Sequence, residues 1–129
     1  PCFADDSGIC IESLNWRPGV HSKRFIHKFK NEEDCFKHII KRVEVSGKKK
    51  AYFKTSISLS INKNYNVVFS GKIDGKISSQ RKGNFGFGYD PIFIPNSFNK
   101  TFAELSTKEK NKLSHRSIAV TKLVNFLIN

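Results

Sequence analysis

Methionine is absent from this 129-residue chain, tryptophan occurs once, and 11 acidic side chains face 23 lysines and arginines. No apolar run approaches the roughly 20 residues that span a bilayer, so no transmembrane helix is expected. The first residues show neither the basic nor the apolar region of a signal peptide. Cysteine is scarce as well. Cys2, Cys10 and Cys35 are odd in number and form no C-x-x-C pair. That argues against a disulfide framework and a zinc site, and for a reducing, cytoplasmic setting. The missing methionine has two readings. An initiator was removed before Pro1, or the chain continues upstream of it.

The length suits one domain with a core of its own. Hydrophobic residues make up 38%, with 12 phenylalanines, which sets the chain apart from disordered sequences. The formal charge is +12. Such a field attracts polyanions such as nucleotides, nucleic acid or anionic lipid. Richness in Lys, Asn and Ile, as an AT-rich coding sequence gives, accounts for the same total. Nucleic acid is therefore not the expected partner.

Residues 2–5 read as the end of a strand, with Ser7-Gly8 as its turn, and 9–14 as a second strand. Asn31 can cap a helix whose first turn holds Glu32, Glu33 and Asp34. Cys35, Phe36, Ile39, Ile40 and Val43 then share one face, and Gly47 ends the helix. Strict alternation through AYFKTSISLSI (51–61), a turn at 62–64 and a second alternating run predict an antiparallel hairpin. IFIP (92–95) is a short strand. Ser114 can cap a last helix with Ile118, Ala119, Leu123, Val124 and Leu127 inward. The expected fold is a single α/β domain over 1–129, a mixed, partly antiparallel twisted sheet flanked by helices.

Three stretches can carry chemistry. In FADDSG (3–8), adjacent carboxylates on a strand point to opposite faces, so both reach one site only if the strand ends between them. One Asp there can hold a hard cation such as Mg²⁺ and orient a water. An Asx turn capping the strand reads the same residues without function. GNFGFGYDPIF (83–93) packs glycines that let backbone approach a ligand among aromatics that can stack on a base. It is equally a Gly-rich turn with core aromatics. EKNKLSHR (109–116) places Lys110, His115 and Arg116 at a helix N-terminus, where cations oppose the dipole unless an anion answers them. His21, His27 and His38 have no metal-ligand spacing and read as surface residues.

FADDSG, RPGVHSKRF (17–25), GNFGFGYDPIF, KTFAEL (100–105) and EKNKLSHR, in this order and spacing, resemble the inosine triphosphate pyrophosphatase family, the dITP/XTP pyrophosphatases. The resemblance runs nearly from end to end of the chain. It implies Mg²⁺-dependent hydrolysis of ITP, dITP and XTP to the monophosphate and pyrophosphate, by a cytoplasmic homodimer. It puts catalysis and the Mg²⁺ on Asp6 and a substrate contact on Ser7. The base pocket falls on Phe87, Gly88, Tyr89 and Asp90, with Phe87 the stacking ring. Lys110, His115 and Arg116 complete the substrate contacts, the last two reading the purine's 6-keto side. N–H donors reward a keto oxygen and disfavour adenine's amino group, at about 1–3 kcal/mol per lost pairing.

The sequence departs from the family in places. His21 stands where Tyr is usual, and Ser117 where Gly usually follows His-Arg. The family's opening strand, its phosphate-cradling loop and a further acidic metal ligand have no counterpart after Pro1. The chain therefore resembles the last two-thirds of a member, with a sheet edge left uncovered. A basic nucleotide- or nucleic-acid-binding module without catalysis is the alternative reading. A related housecleaning enzyme for other modified bases is a third.

Overall fold

The computed structural model describes residues 2–84, 86, 88–106, 108–110 and 115–128, with the backbone alone for 2, 3, 5, 115–117 and 128. The chain runs through β1 (Cys2–Ile11), a 3₁₀ turn (Glu12–Leu14), β2 (Arg17–Gly19), α1 (Ser22–His27) and α2 (Glu32–Ser46). β3 (Lys50–Asn62) and β4 (Tyr65–Ile77) follow, then 3₁₀ turns at Asp90–Ile92 and Phe102–Glu104 flanking β5 (Phe93–Pro95), and finally α3 (His115–Ile128).

The five strands form one sheet in the order β2-β1-β3-β4-β5. Every pairing between described strands is antiparallel. The α/β class stands, and the parallel component that a mixed sheet would need does not occur among these pairings. The long β3–β4 hairpin forms as its alternation predicts. Phe53, Thr55, Ile57 and Leu59 are buried on one face, and at the turn the Asn64 N–H donates to Asn62 Oδ1 at 2.9 Å. α2 begins and ends where expected. The Asp34 N–H donates to Asn31 Oδ1 at 2.9 Å, and Gly47 takes a left-handed φ of 71° at the other end.

α2 lays Cys35, Phe36, Ile39 and Val43 against Ile9, Ile11 and Phe53 of the sheet. Beside them Phe53, Phe93 and Phe102 form a ring cluster with centroids 4.6–5.7 Å apart. α3 packs over β3 and β4 near Phe69, whose ring lies 5.3 Å from Phe126. Its buried face is narrower than expected. Ala119 is buried and Ile118 and Leu123 are half-buried, but Val124 and Leu127 are 46% and 57% exposed. The capping role read for Ser114 falls outside the described residues.

Two local expectations are corrected. β1 does not end at the aspartates. It continues through Ser7 and Gly8, which pair with Thr55 and Lys54 of β3. Ser7 and Thr55 hydroxyls lie 2.9 Å apart, so β3 draws the serine into the ladder rather than a turn. The run 9–14 is not a second strand either. Its first part completes β1 and its second is the 3₁₀ turn.

Candidate active site

Because β1 is unbroken, its aspartates alternate across the sheet. Asp6 pairs with Ser56, and Ser56 with Ser70, which places Asp6 on the face away from the core. It is exposed there. Further along the same face Trp16 and Tyr52 rings lie 5.6 Å apart, and Lys72 Nζ sits 4.3 Å above the Tyr52 ring. These residues line a hollow of about 490 Å³. A hydrogen bond to Cys10, burial, and the charges of Cys10 and Asp74 raise the Tyr52 phenol above its ordinary range.

Ser7 is half-buried on the opposite face with Thr55. β2 covers β1 only at Ile9–Ile11. Among the described residues no strand pairs with the other side of the stretch carrying Asp6 and Ser7. Gly8 keeps it close to the next turn, since a side chain there would collide with the Gly19 carbonyl. Ser22 fastens the two: its Oγ accepts from Ile9 N–H at 2.8 Å and donates to Gly19 O at 2.6 Å.

The second part of the site lies on the core side. Tyr89 is buried against Phe36 and donates its hydroxyl proton to Ser22 O. Burial, and next Cys35, push its phenol far above the ordinary tyrosine value. Asp90 is buried and accepts a charged hydrogen bond from Lys110. Their side chains are 7% and 18% exposed. Lys110 Nζ also sits 5.7 Å from the Phe102 ring centre. Gly86 takes a φ of +81°, and a side chain there would strike the Asp90 carboxylate. The KTFAEL segment holds this loop from below. Thr101 Oγ1 donates to Lys82 O at 2.7 Å, and Thr101 N–H donates to Glu104 Oε1 at 3.0 Å.

The structure thus brings Tyr89, Asp90 and Lys110 together beside Gly88 on the core side, the side to which Ser7 also turns, and leaves Asp6 on the opposite face of β1. Phe87 lies outside the described residues. His115 and Arg116 open α3, and their side chains also lie outside them. His21, His27 and His38 are exposed, as expected.

Sequence reading missed two features. One is Ser22, the link between β1, β2 and Tyr89, which carries no local signal beyond its place in RPGVHSKRF. The other is a cationic cleft beside α1, whose only sequence signal is the 21, 24, 28 spacing on one helix face.

For a metal ion, the described residues offer no group of three or more His, Cys, Asp or Glu side chains. Asp6 alone still fits Mg²⁺. That ion keeps several waters and is held by one or two carboxylates together with substrate phosphates.

An α/β domain with an exposed carboxylate on its sheet and a buried Asp–Lys pair behind a Gly-rich loop is the class that fold and site define. Residues 1–126 match the model of the Ham1 family, and the chain belongs to that family. It is 42% identical over 126 residues to a dITP/XTP pyrophosphatase of Christiangramia forsetii, covering 98% of this chain and 66% of the relative. A dITP/XTP pyrophosphatase of Flavobacterium johnsoniae is 42% identical over 98% of this chain and 65% of its own length. The Ham1 protein of Staphylococcus aureus superimposes with a TM-score of 0.88 at 36% identity, over 97% of this chain and 65% of that one. A Coxiella burnetii HAM1 protein gives 0.86 at 37%, over 98% and 66%. The chain spans about two thirds of the length of these relatives. The family resemblance read from the five motifs and the expected fold class both stand.

Proposed function

We propose that the protein is a Mg²⁺-dependent nucleoside triphosphate pyrophosphatase acting on ITP, dITP and XTP, as a cytoplasmic homodimer. One observation carries the reading. In a chain 42% identical to dITP/XTP pyrophosphatases, the Asp6 carboxylate is exposed on the sheet face away from the core. No described helix is long and apolar enough to cross a membrane.

In the reaction, water adds across the anhydride between the α and β phosphates. Its oxygen ends on the monophosphate, the α–β bridge breaks, and pyrophosphate leaves. Asp6 would hold Mg²⁺, which supplies charge neutralisation on the phosphates and a more acidic bound water. Asp6 also orients the attacking water and accepts its proton. Ser7, next in the chain and on the other face of β1, contacts the phosphates from that side. Gly88, Tyr89 and Asp90 form one wall of the base pocket, with Phe87 as the stacking ring. Lys110 holds the Asp90 carboxylate in place and offers a cation to substrate. Tyr89 stays protonated and acts by fixing the loop to Ser22. His115 and Arg116 donate to the 6-keto oxygen of the purine, which adenine lacks.

The test is pyrophosphate release from dITP by the full-length protein with and without Mg²⁺, beside an Asp6→Asn variant. Release that needs the metal and disappears in Asp6→Asn, with dITP binding kept, is the expected result. Undiminished hydrolysis by Asp6→Asn removes that residue from the mechanism. Tight DNA binding at moderate salt with dITP left intact favours a nucleic-acid-binding module instead.

A further inference from the structure

Of the RPGVHSKRF stretch only Ser22 enters the chemistry above, yet the stretch also builds a cleft. β2 supplies Arg17, α1 and its ends supply His21, Arg24, Phe25 and Lys28, and α2 supplies Arg42 across the gap. The cleft encloses about 420 Å³, within the range of small-molecule sites. Among the described residues no carboxylate lines it. The ion pairs formed among those residues, Lys72–Asp74, Arg81–Glu33 and Lys110–Asp90, all lie elsewhere. Like charges brought together without a counter-charge repel, so this arrangement costs stability unless an anion occupies it.

The choice of cation is informative. Lysines outnumber arginines 18 to five in this sequence, yet three of the five arginines converge here. A composition biased toward lysine does not produce that. Guanidinium is the planar, forked donor that matches phosphate oxygens in pairs. Arg17 is already oriented, with its Nε–H donating to Leu14 O at 3.3 Å. His21, Arg24 and Lys28 fall three and four residues apart, on one side of α1. Phe25 and the buried Pro18 give the cleft an apolar flank.

We infer that this cleft is an oligophosphate-binding site separate from Asp6 and from the Asp90–Lys110 pair. Its ligand is a di- or triphosphate group, either free pyrophosphate or the phosphate chain of a nucleotide. A single phosphate would leave most of the local positive charge unmatched.

The experiment titrates the protein by calorimetry with pyrophosphate, orthophosphate and dITP, in an Asp6→Asn background so that the nucleotide is not consumed. The His21 ring protons are followed by NMR in the same titrations. Pyrophosphate should move the His21 resonances, bind more tightly than orthophosphate, and weaken steeply with added salt. Arg24→Gln/Arg42→Gln should weaken pyrophosphate binding by roughly tenfold or more. Both side chains are exposed, so the fold is not at risk, and Arg42→Glu gives a second variant of reversed charge. An equal loss for dITP assigns the cleft to any oligophosphate chain. A loss for pyrophosphate alone assigns it to the free anion. Unchanged affinity for both ligands in the double variant, or His21 resonances that do not move, overturns the inference. dITP hydrolysis by the protein with Asp6 intact is read separately, so either conclusion can fail without the other.

Discussion

Asp90 is the only buried carboxylate among the described residues, and Lys110 answers it. Burying a carboxylate is costly unless a counter-charge and hydrogen bonds compensate. Removing the lysine therefore does more harm than removing both partners. Lys110→Ala should lower unfolding stability by about 3 kcal/mol, because the carboxylate stays buried without its ammonium. Asp90 makes further interactions that soften the loss. Lys110→Ala/Asp90→Asn should recover part of the deficit. Urea unfolding of the two variants checks this, and a double variant no more stable than the single one refutes it. The same logic explains why the pair was only half legible. Each residue sits in a recognisable motif, but 20 positions apart no local pattern joins them.

α2 shows what a sequence states plainly. Its cap, acidic first turn, apolar face and terminal glycine are local, and all four are where the pattern puts them. Asn31→Ala should cost about 1 kcal/mol of stability by thermal or urea unfolding, with the fold retained. A loss within error of zero would mean the helix is held by its packed face alone. β1 shows the opposite case. ADDSG carries two charges, a serine and a glycine, all poor strand formers. Taken alone it reads as a turn. The tertiary partner decides otherwise, because β3 lends ten consecutive partners and the Thr55 hydroxyl. α3 lies between these cases. Its apolar residues run round more of the helix than one contact can bury, so the pattern gave the helix but not its inward side. The cleft of Arg17, Arg24 and Arg42 was invisible for the simplest reason. It needs β2, α1 and α2 assembled before its charges meet.

Stability as a whole should respond to alkali through two buried acids that face each other's neighbourhood. Burial, and then the charge of Glu32, push the Cys35 thiol from 9.0 up to about 11. Burial and then Cys35 raise Tyr89 from 10.0 in the same direction. For each, the folded protein holds its proton at pH values where the unfolded chain releases it. For Cys35 the stabilisation is complete below pH 9 and is lost as pH climbs through 9 to 11, and for Tyr89 the loss begins only near pH 10, at about 1 kcal/mol per pH unit for each group once it titrates. The net charge of +12 acts the other way. Self-repulsion falls as the protein nears its isoelectric point of about 9.8. Added salt screens that repulsion and leaves the buried groups nearly untouched. Unfolding free energy measured at high salt should therefore fall between pH 9 and 11. The slope should flatten in Cys35→Ala and flatten further in Cys35→Ala/Tyr89→Phe, relative to each variant's own value at pH 8. The phenylalanine variant should start lower by about 1 kcal/mol, since Ser22 O loses its donor. Equal slopes in the parent protein and the double variant would show that the alkaline response comes from the lysine-rich surface, and not from the contact between α2 and the Asp90 loop.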